Sequence, residues 1–152
     1  MNKNKLQIEQ LESKIKVYAS ISQIVIPPTG WIKAVRLALG MSLQQLANRI
    51  SITKQSVQEM EQRERDGSIS LKSLREAAKA LDMELVYGFV PKDGSLDALI
   101  DRKARDLATQ IVIRTSNSMK LEDQENSETR LKKAIEQRTA ALKQQMPKIL
   151  WD

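Results

Sequence analysis

"MSLQQLANRISITKQSVQEMEQRE", Met41 to Glu64, is the stretch whose reading decides the fold. Ser42 stands where an N-cap is wanted, and the segment after it, "LQQLANRI", places Leu43, Leu46, Ala47 and Ile50 on one face at helical spacing. A joint at Ser51 and Ile52 follows. Thr53 then caps a second helix, "KQSVQEMEQ", which turns Val57 and Met60 inward and leaves Lys54, Gln55, Ser56, Gln58 and Glu59 outside. Two helices joined by so short a turn, the second with long polar side chains on its first turn, are the arrangement in which the second helix enters the DNA major groove.

Working outward, "WIKAVRLAL" puts Trp31, Val35, Ala38 and Leu39 on one face and stops at Gly40, a position where left-handed backbone costs little. Downstream, Ser70 opens "LKSLREAAKALD", with Leu71, Leu74, Ala78 and Leu81 inward. Four helices with short joints therefore fill the region from Gly30 to Asp82. Before them, Leu6 to Tyr18 reads as a short amphipathic helix, broken by Pro27 and Pro28. After them, "MELVYGFVP" alternates Met83, Leu85, Tyr87 and Phe89 with Glu84, Val86, Gly88 and Val90 until Pro91, which reads as a strand. Its partner is expected to be the same strand of a second copy, the preferred answer, or the segment Ser22 to Ile26. Beyond Ser95, the stripe Leu96, Leu99, Ile100, Lys103, Leu107 and Ile111 marks one helix up to about Thr115. A second, from about Leu121, carries Leu131, Ala134, Ile135, Ala141 and Leu142, and the two read as an antiparallel pair.

The expected fold is thus mainly α: a helix-turn-helix bundle with one β-strand and a C-terminal helical pair. The expected divisions are an N-terminal arm at 1–28, the DNA-binding domain at 29–82, a strand and linker at 83–94, and a C-terminal helical interaction region at 95–152.

Composition narrows the function. The 152 residues hold two Trp, two Tyr and one Phe, so the core is aliphatic, and Lys and Arg exceed Asp and Glu by 25 to 19, a balance that suits a polyanion. With no Cys and no His, there is no disulfide, no zinc site of Cys or His, and no imidazole acid–base chemistry. No glycine-rich phosphate cradle or paired-carboxylate motif appears, so no enzyme, metal or cofactor is expected. Neither a membrane span nor a signal peptide is read from the chain, and a cytoplasmic protein is the expectation.

For base contacts the expectation names Lys54, Gln55, Ser56 and Gln58, because Gln matches adenine, Lys matches guanine and Ser is tolerant. For phosphate contacts it names Ser42, Gln44, Arg49, Thr53, Arg63 and Arg65, which lie at or near the two helix starts. The alternative for the same residues is the solvated polar face of a small helical bundle.

"GMSLQQLANRISITKQSVQEMEQRE" continued by "SLKSLREAAKALDMEL" resembles the phage-repressor-like Xre family of DNA-binding domains. That family often carries Gln where this chain has Leu43, and Gln44 follows one position on. Over nearly the whole chain, "IPPTGWIKAVRLALGMS", "SLREAAKALDMELVYGFVPKD" and "SNSMKLEDQ" resemble the family called mobile mystery protein A, which accompanies a Fic-domain protein. The resemblance implies a regulator or antitoxin-like half of a two-gene module on mobile DNA, beside a Fic-domain protein. With the strand argument for a homodimer, the leading expectation is a dimeric, sequence-specific DNA-binding protein that represses its own operon. The alternative is a protein-interaction antitoxin acting through the C-terminal helices, with DNA binding secondary. Inhibitors of Fic enzymes commonly carry Ser or Thr, three residues, Glu, then Gly or Asn. Ser118 and Glu122 have that spacing, followed by Asp123, and the pair reads equally as a helix-cap region.

Overall fold

The computed structural model describes residues 3–118 and 127–152. Its helices are α1 (Lys3–Tyr18), α2 (Trp31–Ala38), α3 (Leu43–Ile50), α4 (Lys54–Asp66), α5 (Leu71–Ala80), α6 (Leu96–Ser118) and α7 (Ser127–Gln145), with 3-10 turns at Ile21–Gln23 and Lys148–Trp151. The chain divides into two compact units, one of residues 20–88 and one of residues 1–19 with 89–152. No helix among the described residues is long and apolar enough to cross a membrane.

In the unit of residues 20–88, short polar caps define the helices. Ser42, Thr53 and Ser70 each adopt extended backbone and accept a hydrogen bond from the amide three residues on, from Gln45, Ser56 and Ser73. Ser42 goes further, because its own amide donates to Gln45 Oε1 at 2.8 Å, closing a capping box that the sequence reading did not include. The C-termini of α2 to α5 share one device. A left-handed residue (Gly40, Ser51, Gly67 or Asp82) lets the next amide bond back to a carbonyl five residues earlier, as Met41 does to Arg36 and Ile52 to Ala47.

Ser51 pays for this geometry, with φ 63° and a Cβ that left-handed backbone disfavours. Ser51→Gly is therefore expected to stabilise the unit by about 1 kcal/mol, read as a higher denaturation midpoint at unchanged m-value. A lower midpoint would show that the Ser51 side chain contributes more than its backbone costs.

The core of this unit is Ile32, Leu46, Ala47, Val57, Ala77 and Leu81, with Val35, Leu43, Ile50, Met60 and Leu74 packed around it. One expected face is turned. On α2 the inner residues are Ile32, Val35 and Arg36, whereas Trp31, Ala38 and Leu39 are exposed. Arg36 goes inside because a carboxylate awaits it there, so the stripe cannot be found by apolar residues alone. The α5 face holds as expected at Leu74 and Leu81, centred on the buried Ala77, and only Leu71 lies outside it.

The expected strand is also corrected. Met83 to Val90 runs without helix or ladder, and no strand occurs among the described residues. A strand needs a partner, and the in-chain candidate, Ser22 to Ile26, begins inside the 3-10 turn Ile21–Gln23 and forms no ladder with Met83 to Val90. Val86 and Phe89 are exposed there, and Tyr87 is held by Arg75, whose guanidinium lies 5.5 Å from the ring centre and donates to the hydroxyl.

In the other unit, α6 and α7 form the expected hairpin. Its seam is built on small residues, Ala104 and Ala108, with Ile100, Leu142 and Leu150 also buried. Small side chains let the helix backbones approach, and Thr139, also buried, satisfies its hydroxyl by donating to Ile135 O at 2.7 Å. Instead of breaking near Thr115, α6 continues to Ser118; the expected start of the next helix near Leu121 lies outside the described residues. Helix α1 packs on α6, and the Glu12 carboxylate accepts from the Leu96 amide at the α6 N-terminus. Arg102 donates twice to Asp93, which holds that carboxyl below its ordinary value. Arg105 bonds Glu136 across the hairpin.

Candidate nucleic-acid interface

Helix α4 has two faces of opposite character. Val57, Met60, Glu61 and Glu64 recur at three and four residue spacings and face inward, while Lys54, Gln55, Gln58, Glu59 and Gln62 are exposed. Val57, fully buried, seats the inner face of α4 in the core beside Leu46 and Ala47 of α3. Buried side chains on one face fix the helix, so the exposed first turn is presented from a rigid support.

Among the expected base contacts, Lys54, Gln55 and Gln58 are exposed to solvent. Ser56 differs. It is partly buried, its amide donates to Thr53 Oγ1 at 3.0 Å, and its hydroxyl lies 2.8 Å from the same oxygen. The Thr53 hydroxyl is thereby occupied by the helix start it caps.

The expected phosphate contacts fall into several settings. Ser42 is engaged in the capping box, and Gln44 donates to Asn48 Oδ1 at 2.8 Å along the exposed face of α3. Arg49 donates to Ala80 O at 2.8 Å and to Asp82 at 3.2 Å, which completes the C-terminus of α5. Arg63 lies 4.0 Å from Glu59, and Arg65 donates to Gln62. Ser118 is the last residue of α6, and Glu122 lies outside the described residues.

Sequence reasoning missed the residues that hold α4 in place. Arg36 on α2 donates from Nε to Glu61 Oε1 at 2.5 Å, from Nη2 to Glu61 Oε2 at 3.2 Å and from Nη1 to Met41 O at 3.0 Å. Both members of the pair are buried. Three residues further along α4, the Glu64 carboxylate accepts from the amides of Trp31 at 2.7 Å and Ile32 at 2.8 Å. These are orphan donors at the start of α2, and Gly30 before them contributes no capping side chain. The signal was present in the sequence: the stripe begun by Val57 and Met60 continues in register through Glu61 and Glu64.

The inner face of α4 rests on α2 and α3, and its outward first turn carries uncharged and cationic hydrogen-bonding groups. No curated protein and no solved structure matches the chain. A family model described as helix-turn-helix matches residues 32–87, the span from the first buried residue of α2 to Tyr87. Residues 32–87 accordingly hold a helix-turn-helix domain.

Proposed function

We propose that the chain is a sequence-specific transcription regulator that binds its operator as a homodimer and represses its own operon. The observation that supports this most is the exposed first turn of α4, where Lys54, Gln55 and Gln58 stand on a helix whose other face is buried against α2 and α3. Gln55 is the foremost base-reading residue, through paired bonds to adenine, and Lys54 reads guanine. Two copies on a two-fold axis would read an inverted repeat with half-sites about 34 Å apart.

An operator selected from random duplexes supplies the test. Gln55→Ala is expected to cost about 1 to 3 kcal/mol on that operator and to leave binding to random DNA nearly unchanged. Equal losses on both duplexes would remove Gln55 from base readout. A wild-type chain that selects no sequence would remove the regulator reading altogether.

A second reading assigns the unit built on α6 and α7 to protein contact. It is favoured by a compact helical unit outside the DNA-binding domain, whose chain beyond Lys120 carries as many acidic as basic residues and so is poorly suited to tracking phosphates. On the resemblance described above, the partner would be a Fic-domain protein, with Ser118 and Glu122 as inhibitory residues. Co-purification of the full-length chain with a Fic-domain protein encoded beside it tests this reading, and separate elution of the two would end it.

A further inference from the structure

We propose that Glu64 is a positioning residue for base readout: by capping the start of α2 from the far end of α4, it sets the tilt of the reading helix. This rests on the reading of α4 as the DNA-contacting helix. Three observations carry it. The carboxylate holds two consecutive amides at 2.7 and 2.8 Å, across a sequence separation of more than thirty residues. Gly30 has φ 85°, and a Cβ built there would lie 2.8 Å from Glu64 Cδ and Oε1, so the turn leaves room for this carboxylate and for no side chain beside it. Glu64 also sits one turn beyond Glu61, so the two carboxylates tie α4 to α2 at two levels.

Geometry turns this tie into an effect on DNA. Val57, buried in the core, is the pivot; Glu64 lies about 10 Å along the helix on one side of it and Lys54 about 4.5 Å on the other. A swing of about 2 Å at Glu64 therefore moves the first turn by about 1 Å the opposite way. Hydrogen bonds to base edges tolerate less, since N–H···O distances span only about 2.7 to 3.2 Å. Phosphate contacts by long flexible cations follow such a shift. Discrimination should fail before affinity for DNA in general does.

The experiment uses the full-length chain and its Glu64→Ala and Glu64→Gln variants, with circular dichroism confirming at the binding temperature that each is folded. Dissociation constants are measured on the selected operator and on a random duplex. Glu64→Ala is expected to weaken operator binding about tenfold while random-duplex binding stays within about twofold. Glu64→Gln, which keeps an acceptor oxygen but no charge, should fall between Glu64→Ala and the unsubstituted chain; it also serves alone if Glu64→Ala does not fold. Gly30→Ala should reproduce the loss of discrimination, and combining it with Glu64→Ala should add little, since both release the same contact. A variant that is less stable but discriminates as before would overturn the proposal and leave Glu64 as a structural cap only. Equal weakening on both duplexes would overturn it as well. If the unsubstituted chain itself does not discriminate, the regulator reading fails first and this inference with it.

Discussion

Glu61→Ala is expected to destabilise the helix-turn-helix unit by about 3 to 5 kcal/mol, because it strands the Arg36 guanidinium in the core. Both side chains are 7% exposed, so water cannot replace the lost carboxylate. Arg36 would keep only its bond to Met41 O. A unit of residues 20–88 has a total stability of roughly 3 to 10 kcal/mol at ordinary values per residue, so the loss is comparable to the whole. Replacing both partners, Arg36→Met with Glu61→Leu, is expected to be near neutral or stabilising, since no charge is then left buried. Urea denaturation followed by circular dichroism separates the cases. A loss below about 1 kcal/mol for the single variant would mean that water enters the pair and that its burial contributes little.

The same pair shows what was legible in the sequence and what was not. Local signals were sufficient where the cause is local: Ser42, Thr53 and Ser70 cap helices and Gly40 ends one, because a cap needs only an oxygen and an amide three residues away. The joint between α3 and α4 was legible for the same reason. Faces settled by distant partners were not. Apolar spacing points to Trp31, Ala38 and Leu39 as the inner side of α2, but Glu61, twenty-five residues beyond Arg36, turns the helix so that Arg36 is inside. The strand failed for a related reason. Alternation from Met83 to Val90 records a capacity for pairing, whereas a ladder requires a second row of amides and carbonyls.

At the interface the residue types were legible and their engagements were not. Lys54, Gln55 and Gln58 follow from position on an amphipathic helix, so their exposure was readable. That Arg49 closes the end of α5 through Ala80 and Asp82 depends on a fold contact thirty-one residues away. The partition matters for interpreting variants: Arg49→Ala removes a helix-end contact together with a cation, so its effect on DNA binding has to be measured beside its effect on stability.

Leu46→Ala is expected to cost about 2 to 5 kcal/mol, the range for truncating a buried leucine. Leu46 is wholly inaccessible and packs in the cluster with Ile32, Ala47, Val57, Ala77 and Leu81, where α2, α3, α4 and α5 meet. Its removal leaves a cavity beside Val57, where α4 is seated in the core. The capped ends of α3 and α4 resist the collapse that would fill it, which places the cost toward the upper part of the range. Leu37→Ala is the control: that side chain is 56% exposed on α2, and its loss should stay within about 0.5 kcal/mol. Both changes delete the same atoms, so the difference in denaturation midpoint isolates packing from propensity. DNA binding by Leu46→Ala should fall in proportion to the folded fraction and recover on cooling toward the stability maximum. Should the two variants unfold alike, the core would have to be centred elsewhere than at the crossing of α3 and α4, where Leu46 and Val57 are both wholly buried.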